Sequence, residues 1–289
     1  MNHSLSRFLV VAAAVSTLSA ACTNRLKDYT QVTMQAKVSA NNPELNQEDL
    51  ATTKTILENR LAGLGIELAE VETIAPDQIV VRLPQTFNID VIEPILASTG
   101  QLILKNQKPD TEEALATKIE TLQRLLVEQN TLEQTQQTEQ TQQTEQTQQT
   151  EQTQQIKEAE KIDRAIALRT EIEQTRAAIA ALFEPSDLTG EMLVEAKAMP
   201  AEDGNTWNVK LWFNSEGAAM FAEQTEMMAG TGRTIGFFLD DVLLSAPVVD
   251  IAFAESGITG GEAIISGNFT NQAAKYLEIQ LTMVPYLST

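Results

Sequence analysis

The most reactive side chain in this sequence is Cys22, the only cysteine among 289 residues. It follows a run of apolar and small residues at 8–21, which is preceded by Arg7 and the amino terminus. A basic start, a short apolar core and small residues before a cleavage point are typical of an export signal. The run is too short to span a bilayer as a helix. No intramolecular disulfide can form, so folding depends on packing and hydrogen bonds.

The string Leu18-Ser19-Ala20-Ala21-Cys22 resembles the lipobox of bacterial lipoproteins, in which the thiol receives a diacylglycerol and becomes the new amino terminus. Ser19 stands where leucine is usual, and Leu18 lies one position further back. The alternative is an ordinary signal peptide cut nearby, which would leave a free thiol. We predict a signal peptide at 1–21, a tether at 22–29 and lipid attachment at Cys22, on the periplasmic side of a bacterial membrane.

The other residue types argue against catalysis. The only histidine, His3, lies in the predicted signal peptide, so the processed chain has no imidazole base or ligand. Asp240-Asp241 is the sharpest acidic pair, but adjacent acids in a turn are usually solvated. The glycine-containing string at 229–233 lacks a phosphate-binding lysine and follows a helical pattern. We expect no catalytic residue, no metal and no cofactor, although a hydrolase built on Asp and Glu chemistry stays open.

Composition limits the class of partner. The formal net charge of −20 makes nucleic acid and anionic lipid headgroups poor partners, because both would be repelled. The length and the 43% hydrophobic content allow about two domains with real cores. Beyond the first apolar run, no stretch approaches the roughly 20 residues needed to cross a membrane. We expect the membrane to be reached only through the lipid.

The patterns in 30–106 predict the order β-α-β-β-α-β, which resembles a split βαβ, ferredoxin-like module. We therefore expect its four strands to share one sheet. The predicted elements are a strand at 32–38, a helix capped by Asn42 or Asn46 and closed by Gly63 and Gly65, strands at 67–74 and 78–83, a helix at 89–98 and a strand at 101–105.

Residues 107–186 differ in kind. Helical patterns at 111–126 and 156–183 flank the hexad EQTQQT, which occurs three times from Glu133 and nearly a fourth time. Six residues turn about 600° on a helix, so no stripe of the repeat stays on one face. Either the flanks form a helical hairpin or coiled-coil arm with the repeat at its tip, or the segment is a loose linker. We favour the hairpin, because a linker would expose its Leu and Ile residues.

Residues 187–289 again read as a globular module. A methionine cluster near the end of the first helix suits adaptable contacts as well as core filling. The predicted elements are strands at 194–198 and 207–213, a helix from Glu216 capped by Asn214 or Ser215, strands at 234–239 and 242–249 around the Asp240-Asp241 turn, a strand at 262–266 and a helix at 270–283 capped by Thr270 or Asn271.

Four strings, at 55–65, 79–84, 235–249 and 258–270, resemble SecD, the accessory subunit of the bacterial Sec translocon. They match the family patterns I-x-x-R-V-x-x-LG, I-V-V-x-L-P, LDG-x-V-x-SAP-x-I and I-x-GG-x-A-x-I-x-G-x-F-T in the same order. The resemblance covers most of the chain outside 109–185. The motif positions, for which it implies structural roles, are Arg60, Gly65, Asp240, Asp241, Ser245, Ala246, Pro247, Gly260, Gly261, Gly267 and Phe269.

The resemblance implies the first large periplasmic domain of that family. The expected fold is α+β, with a ferredoxin-like base at 30–106, a helical insertion at 107–186 and a head at 187–289 whose last helix returns to the base. We expect the Asp240-Asp241 hairpin and the Gly260-Gly261 strand to pair within one sheet. In the family, membrane helices couple proton flow to motion of a head that grips preprotein, and this sequence has no counterpart of those helices.

The expected function is therefore non-enzymatic: binding of exported polypeptides, or assistance at the Sec translocon, without proton coupling. The residues predicted to contact polypeptide are Phe221, Met227 and Met228. The expected partners are exported chains or Sec components, with no nucleic acid. An alternative is an envelope scaffold that docks a coiled-coil partner through the helical arm.

Overall fold

Antiparallel strands and amphipathic helices form the frame of the computed structural model, which describes residues 9–15, 29–38, 47–75, 77–142 and 151–282. The chain divides into two compact units. Unit 1 consists of 1–103, 187–223 and 258–289, and unit 2 consists of 104–186 and 224–257. Cys22 and the predicted caps Asn42 and Asn46 lie outside the described residues.

The base of unit 1 is a four-stranded antiparallel sheet packed against two helices. Its strands lie in the order β1-β2-β4-β3. Alternation in β2 and β4 directs every second side chain to the helices, where the apolar core includes Val32, Met34, Leu57, Val81 and Leu96. The elements are β1 (Leu9–Val15), β2 (Tyr29–Val38), α1 (Gln47–Gly63), β3 (Glu70–Ala75), β4 (Gln78–Pro84) and α2 (Ile89–Ala97).

The end of α1 is fixed by a glycine in the left-handed region. Gly65 has φ +75°, the Ile66 N–H donates to Leu61 O at 2.9 Å, and the Gly65 N–H donates to Ala62 O at 2.9 Å. These two bonds make a Schellman motif, in which a residue without Cβ is favoured. Leu61 and Ile66 also belong to the base core. The predicted helix stop is confirmed.

Arg60 holds the end of α2. Its side chain is 2% exposed, and its Nη1 donates to Ile95 O and Leu96 O at 3.1 Å each and to Ser98 O. These carbonyls end a helix, where they lack intrahelical partners and carry the negative end of the dipole. The guanidinium therefore donates hydrogen bonds to the free carbonyls at the end of α2 and opposes the negative end of its dipole.

The base sheet does not contain the last strand that was predicted for it. The predicted strand at 101–105 forms as β5 (Leu102–Gln107), but β5 lies in another sheet between β9 (Ile235–Leu239) and β6 (Phe183–Thr189). The place beside β2 is taken by β1, a segment of the predicted signal peptide. The prediction is wrong because the partners of β5 are distant in sequence, and a short apolar run does not specify its partner.

Unit 1 also contains a three-stranded antiparallel sheet in the order β11-β8-β7. The helix α6 covers β7 and β8 and reaches the base, where Ile279 lies against Gly63. The Asn214 Oδ1 accepts from the Gly217 N–H at 2.8 Å, and the Thr270 Oγ1 accepts from the Ala273 N–H at 3.1 Å. The elements are β7 (Leu193–Pro200), β8 (Trp207–Phe213), α5 (Ser215–Met228), β11 (Glu262–Phe269) and α6 (Asn271–Thr282).

The uncovered face of this sheet carries a polar network. Glu262 accepts from Trp212 Nε1 at 2.9 Å and pairs with Lys210 Nζ at 2.8 Å. The hydrogen bonds from Lys210 and then Trp212 lower the pKa of the Glu262 carboxyl below its usual value. These contacts join β11 to β8 across the sheet.

Unit 2 is a four-stranded sheet with two long helices. The strands lie in the order β10-β9-β5-β6, with β10 spanning Val242–Ser245. The helices α3 (Glu112–Gln142) and α4 (Glu151–Ala180) pack along each other through Leu125, Leu168 and Ile172. Both helices run into the predicted repeat, whose Glu and Gln residues are good helix formers. Phe183 and Phe238 meet edge to face, with ring centroids 5.0 Å apart.

The expected pairing of the two motif strands is wrong. The Asp240-Asp241 hairpin is formed by β9 and β10, whereas the Gly260-Gly261 turn leads into β11, which pairs with β8 in the other sheet. The strand that follows a hairpin in sequence need not join it, because sheet partners are chosen by long-range packing. The two motifs therefore serve different sheets.

Candidate functional site

The acidic pair at the head hairpin is a structural turn. Asp240 and Asp241 have φ values of +49° and +66°, which is the pattern of a type I′ hairpin turn. The Asp241 carboxylate binds Lys105 Nζ at 3.0 Å, and the same ammonium lies 4.5 Å from the centre of the Phe238 ring. Asp241 therefore joins the hairpin to β5. Among the described residues, no group of three His, Cys, Asp or Glu side chains could hold a metal ion.

The motif residues that follow β10 also have structural contacts. Ala246 packs against the core that contains Phe183 and Phe238, and Pro247 O accepts from the Ile235 N–H at 3.0 Å. Ser245 lies opposite Phe237 at the bulge that ends the hairpin. These contacts turn the chain out of the sheet and into the segment 247–256.

Two of the three predicted contact residues lie in the core. Phe221 is buried in unit 1, where its ring centre is 5.7 Å from that of Phe213. Met228 is fully buried in unit 2. Met227, by contrast, is 58% exposed. Phe221 and Met228 lie seven residues apart on one helix face, which is the spacing of a buried stripe. The structure thus leaves Met227 as the accessible member of the predicted set.

Beside the end of α5, unit 2 presents a surface that we call the apolar loop, residues 246–254. Val248 is 57% exposed, Ile251 is 66% exposed and Phe253 is 38% exposed. Solvent-facing apolar side chains that cluster in one loop are unusual, whereas isolated ones are not. No periodic signal marks this segment in the sequence, since the exposed residues follow neither a helical nor a strand repeat.

The apolar loop is fixed at several points. Val249 is buried, and its O accepts from the Gly230 N–H at 3.2 Å. Thr234 forms an isolated antiparallel bridge with Val248. The Asp250 Oδ1 accepts from the Ala252 N–H at 2.8 Å and caps a short 3₁₀ turn. The exposed side chains therefore sit on an ordered backbone, which limits the entropy lost when a ligand binds.

Gly230 lets the apolar loop approach the end of α5. Its φ is +69°, and an added Cβ would lie 2.1 Å from Ile251 Cδ1. The positive φ favours glycine, and a Cβ would be admitted only if the Ile251 side chain moved. Met227 lies in the last turn of α5, three residues before Gly230.

A buried amide supports the segment that carries Gly230. Gln107 is 1% exposed, and its Oε1 accepts from the Thr234 N–H at 2.9 Å and from the Thr234 Oγ1 at 3.0 Å. Its Nε2 donates to Thr111 Oγ1 at 3.1 Å, and its O accepts from Arg233 Nη1 at 3.1 Å. The polar groups of Arg233 and Thr234 thus bond to Gln107, so the segment has a structural role and does not form a phosphate-binding loop.

Carboxylates flank the apolar loop. Asp250 and Glu255, in and next to the loop, are exposed, as is Glu226 near the end of α5, while Arg233 is directed to Gln107. An apolar surface bordered by negative charge favours ligands that combine apolar and basic side chains. It disfavours nucleic acid and acidic chains.

The remaining motif glycines shape unit 1. Gly260 and Gly261 have φ values of +96° and +70°, and Gly261 O accepts from the Phe213 N–H at 2.8 Å. An added Cβ at Gly261 would lie 2.7 Å from Ala218 Cβ, whereas at Gly260 it would meet nothing within 4 Å. Gly267 lies under the Phe269 ring, with its Cβ position 3.0 Å from Phe269 Cε2. These contacts place α5 against the start of β11.

Comparison with known proteins agrees with these motifs. Residues 166–283 match the family model described as SecDF, P1 head subdomain. The chain is 36% identical over 256 residues to the protein translocase subunit SecD of Synechocystis sp. (strain ATCC 27184 / PCC 6803 / Kazusa), which covers 89% of this chain and 50% of the relative. This chain is related to SecD.

A second SecD, from Prochlorococcus marinus, is 34% identical over 264 residues and covers 89% of this chain and 53% of the relative. The SecD-like chain thus spans about half the length of these relatives. A solved structure titled "Structure and function of a membrane component SecDF that enhances protein export" matches with a TM-score of 0.54 at 22% identity, over 88% of this chain and 94% of that one. This match shows a shared α+β fold.

The helices of the described residues include none with the length and apolar content of a membrane span.

Proposed function

We propose that this SecD-like chain is an extracytoplasmic lipoprotein that binds exported polypeptides through the apolar loop and Met227, and that it assists export without proton coupling of its own. The observation that carries the proposal is the exposure of Val248 and Ile251 on an anchored backbone in the part of the chain that matches the head family. A relative is named a protein translocase subunit, and a similar structure is titled as a component that enhances protein export.

The surface suits an extended chain with apolar side chains. Burial of Ile251 and Val248 would contribute about 1.5–3 kcal/mol for each fully covered side chain. Flexible methionine adapts to varied partners, which favours broad rather than sequence-specific recognition. The flanking carboxylates would favour segments with lysine or arginine near the apolar stretch, and salt would weaken this part of the interaction.

The proposal is tested with a fluorescein-labelled peptide that has Leu, Val and Phe at its centre and Lys at each end. We expect Ile251→Asp to weaken peptide binding at least about tenfold in fluorescence anisotropy. The reason is that a charge would replace an apolar side chain that the bound peptide covers. Val194→Asp is the matched control, since Val194 is 68% exposed in unit 1. Equal affinities for the two variants, or equal losses, would contradict the assignment of the surface.

A scaffold role for the α3–α4 arm is the second candidate. Ile162 and Ile166 lie one helical turn apart on α4 and are half or more exposed. An exposed pair at this spacing is typical of a helix that packs on another helix. The double variant Ile162→Asp/Ile166→Asp separates the two functions. If this variant no longer captures a partner protein but still binds the peptide, the scaffold role is favoured.

A further inference from the structure

The base sheet has two edges that differ in their chemistry. At one edge, β3 carries Glu70 and Glu72, and its pairing with β4 shifts between Thr73 and Ala75. Charges and bulges are the features by which natural sheets prevent further strands from pairing. The edge formed by β3 is therefore protected.

The other side of the sheet lacks these features. The strand β2 contains no proline and one lysine, Lys37, and it pairs with β4 through Tyr29–Gln35 without a register shift. Val32 and Met34 are fully buried beneath the helices, so β2 is held in the sheet from its other side. The outer edge of β2 is built to be paired.

That edge is occupied by β1. All seven residues of β1, Leu-Val-Val-Ala-Ala-Ala-Val, pair antiparallel with β2 in an unbroken register from Leu9↔Val38 to Val15↔Val32. The helix α2 lies beside both strands. The occupant shows which chemistry the edge accepts: an extended, uncharged segment of small and β-branched residues.

We propose that processing before Cys22 removes β1 and opens the edge of β2 as a second binding site, which takes an extended apolar segment of an exported chain as an added antiparallel strand. This inference rests on the proposed function, because it needs both processing and a polypeptide ligand. Main-chain hydrogen bonds would supply affinity for many sequences. Until processing, β1 keeps the site closed in the same chain.

The test compares the processed protein, purified in detergent, with the unprocessed Cys22→Ala variant. The probe is a fluorescein-labelled peptide that carries Leu-Val-Val-Ala-Ala-Ala-Val between lysines. We expect saturable binding to the processed protein and binding at least about tenfold weaker to the Cys22→Ala variant, whose own β1 competes. A control peptide with proline in place of the central alanine should not bind, because proline cannot donate to the ladder.

Register is tested by disulfide formation. In the structure Ala14 pairs with Thr33, so a peptide with cysteine at the position of Ala14 should join a Thr33→Cys protein and not a Gln31→Cys protein. Equal cross-linking of the two variants, or equal peptide affinity of processed and unprocessed protein, overturns the inference.

The outcomes separate this inference from the proposed function. If Ile251→Asp removes peptide binding while Thr33→Cys and Gln31→Cys cross-link the peptide equally, the apolar loop is the polypeptide site and the edge of β2 is not. If mass spectrometry of the wild-type protein finds the leader retained, both the lipid attachment and the opening of the edge are wrong. If peptide joins Thr33→Cys in register although Ile251→Asp binds normally, the edge is the polypeptide site and the apolar loop is not.

Discussion

Replacing Arg60 by leucine lowers the free energy of unfolding of unit 1 by about 3 kcal/mol. The guanidinium is buried and donates to three carbonyls at the end of α2. Leucine fills part of the volume but leaves buried acceptors without donors and removes the charge that opposes the helix dipole. Urea unfolding followed by tryptophan fluorescence measures the loss, because both tryptophans, Trp207 and Trp212, lie in β8 of unit 1.

Arg82→Leu is the control, because Arg82 lies on β4 of the same base as Arg60. Arg82 pairs with the exposed Glu72 at 2.9 Å and Glu70 at 3.6 Å. Exposed pairs of this kind contribute about 0–1 kcal/mol. We therefore expect Arg82→Leu to change the free energy of unfolding by less than about 1 kcal/mol. Similar losses for the two variants would contradict the role assigned to Arg60.

Gly261→Ala gives the second large effect, a loss of about 2–5 kcal/mol in the free energy of unfolding measured in the same way. The substitution places alanine at φ +70° and brings a methyl carbon to 2.7 Å from Ala218 Cβ on α5. The left-handed conformation costs about 1–2 kcal/mol for a residue with Cβ, and overpacking adds about 1–3 kcal/mol.

The variant Gly260→Ala separates the cost of the left-handed conformation from the cost of overpacking. Gly260 also has a positive φ, but an added Cβ meets nothing within 4 Å, so about 1–2 kcal/mol is expected. Adding Ala218→Gly to Gly261→Ala should recover part of the loss, because it removes the atom that clashes. If Gly260→Ala costs as much as Gly261→Ala, or if the double variant shows no coupling, the contact between this turn and α5 does not matter for stability.

Local signals in the sequence predicted local structure well. The stop of α1 at Gly65, the cap of α5 at Asn214 and the I′ turn at Asp240-Asp241 each depend on residues close together in the chain. Their physical causes, positive φ and side-chain acceptors for free N–H groups, are readable from residue type. The motif residues Arg60 and Gly261 make structural contacts, Arg60 with the end of α2 and Gly261 with α5.

Pairings between distant strands could not be predicted in the same way. The strand β5 has an apolar pattern that fits either sheet, and only its contacts with β9 and β6 assign it. The separate sheets of the Asp240-Asp241 hairpin and of β11 have the same cause. Pattern gives the face that a strand buries, whereas partner choice depends on the packing of the whole unit.

The candidate site was partly readable. The helical period places Phe221, Gln224, Thr225 and Met228 on one buried face of α5, so the spacing already separates Met227 from Met228. The apolar loop was missed because its exposed residues have no period. The one signal that could have indicated it is the unusual density of apolar residues after Pro247 in a segment with no helix or strand pattern.

The most direct test of the central claim, that exported chains contact the apolar loop, is site-specific photocrosslinking in cells. A photoreactive residue at Ile251 is compared with one at Val194, which is equally exposed in unit 1. We predict adducts with newly exported polypeptides from position 251 and none above background from position 194. Adducts of equal yield at both positions, or none at position 251 while export proceeds, would contradict the account.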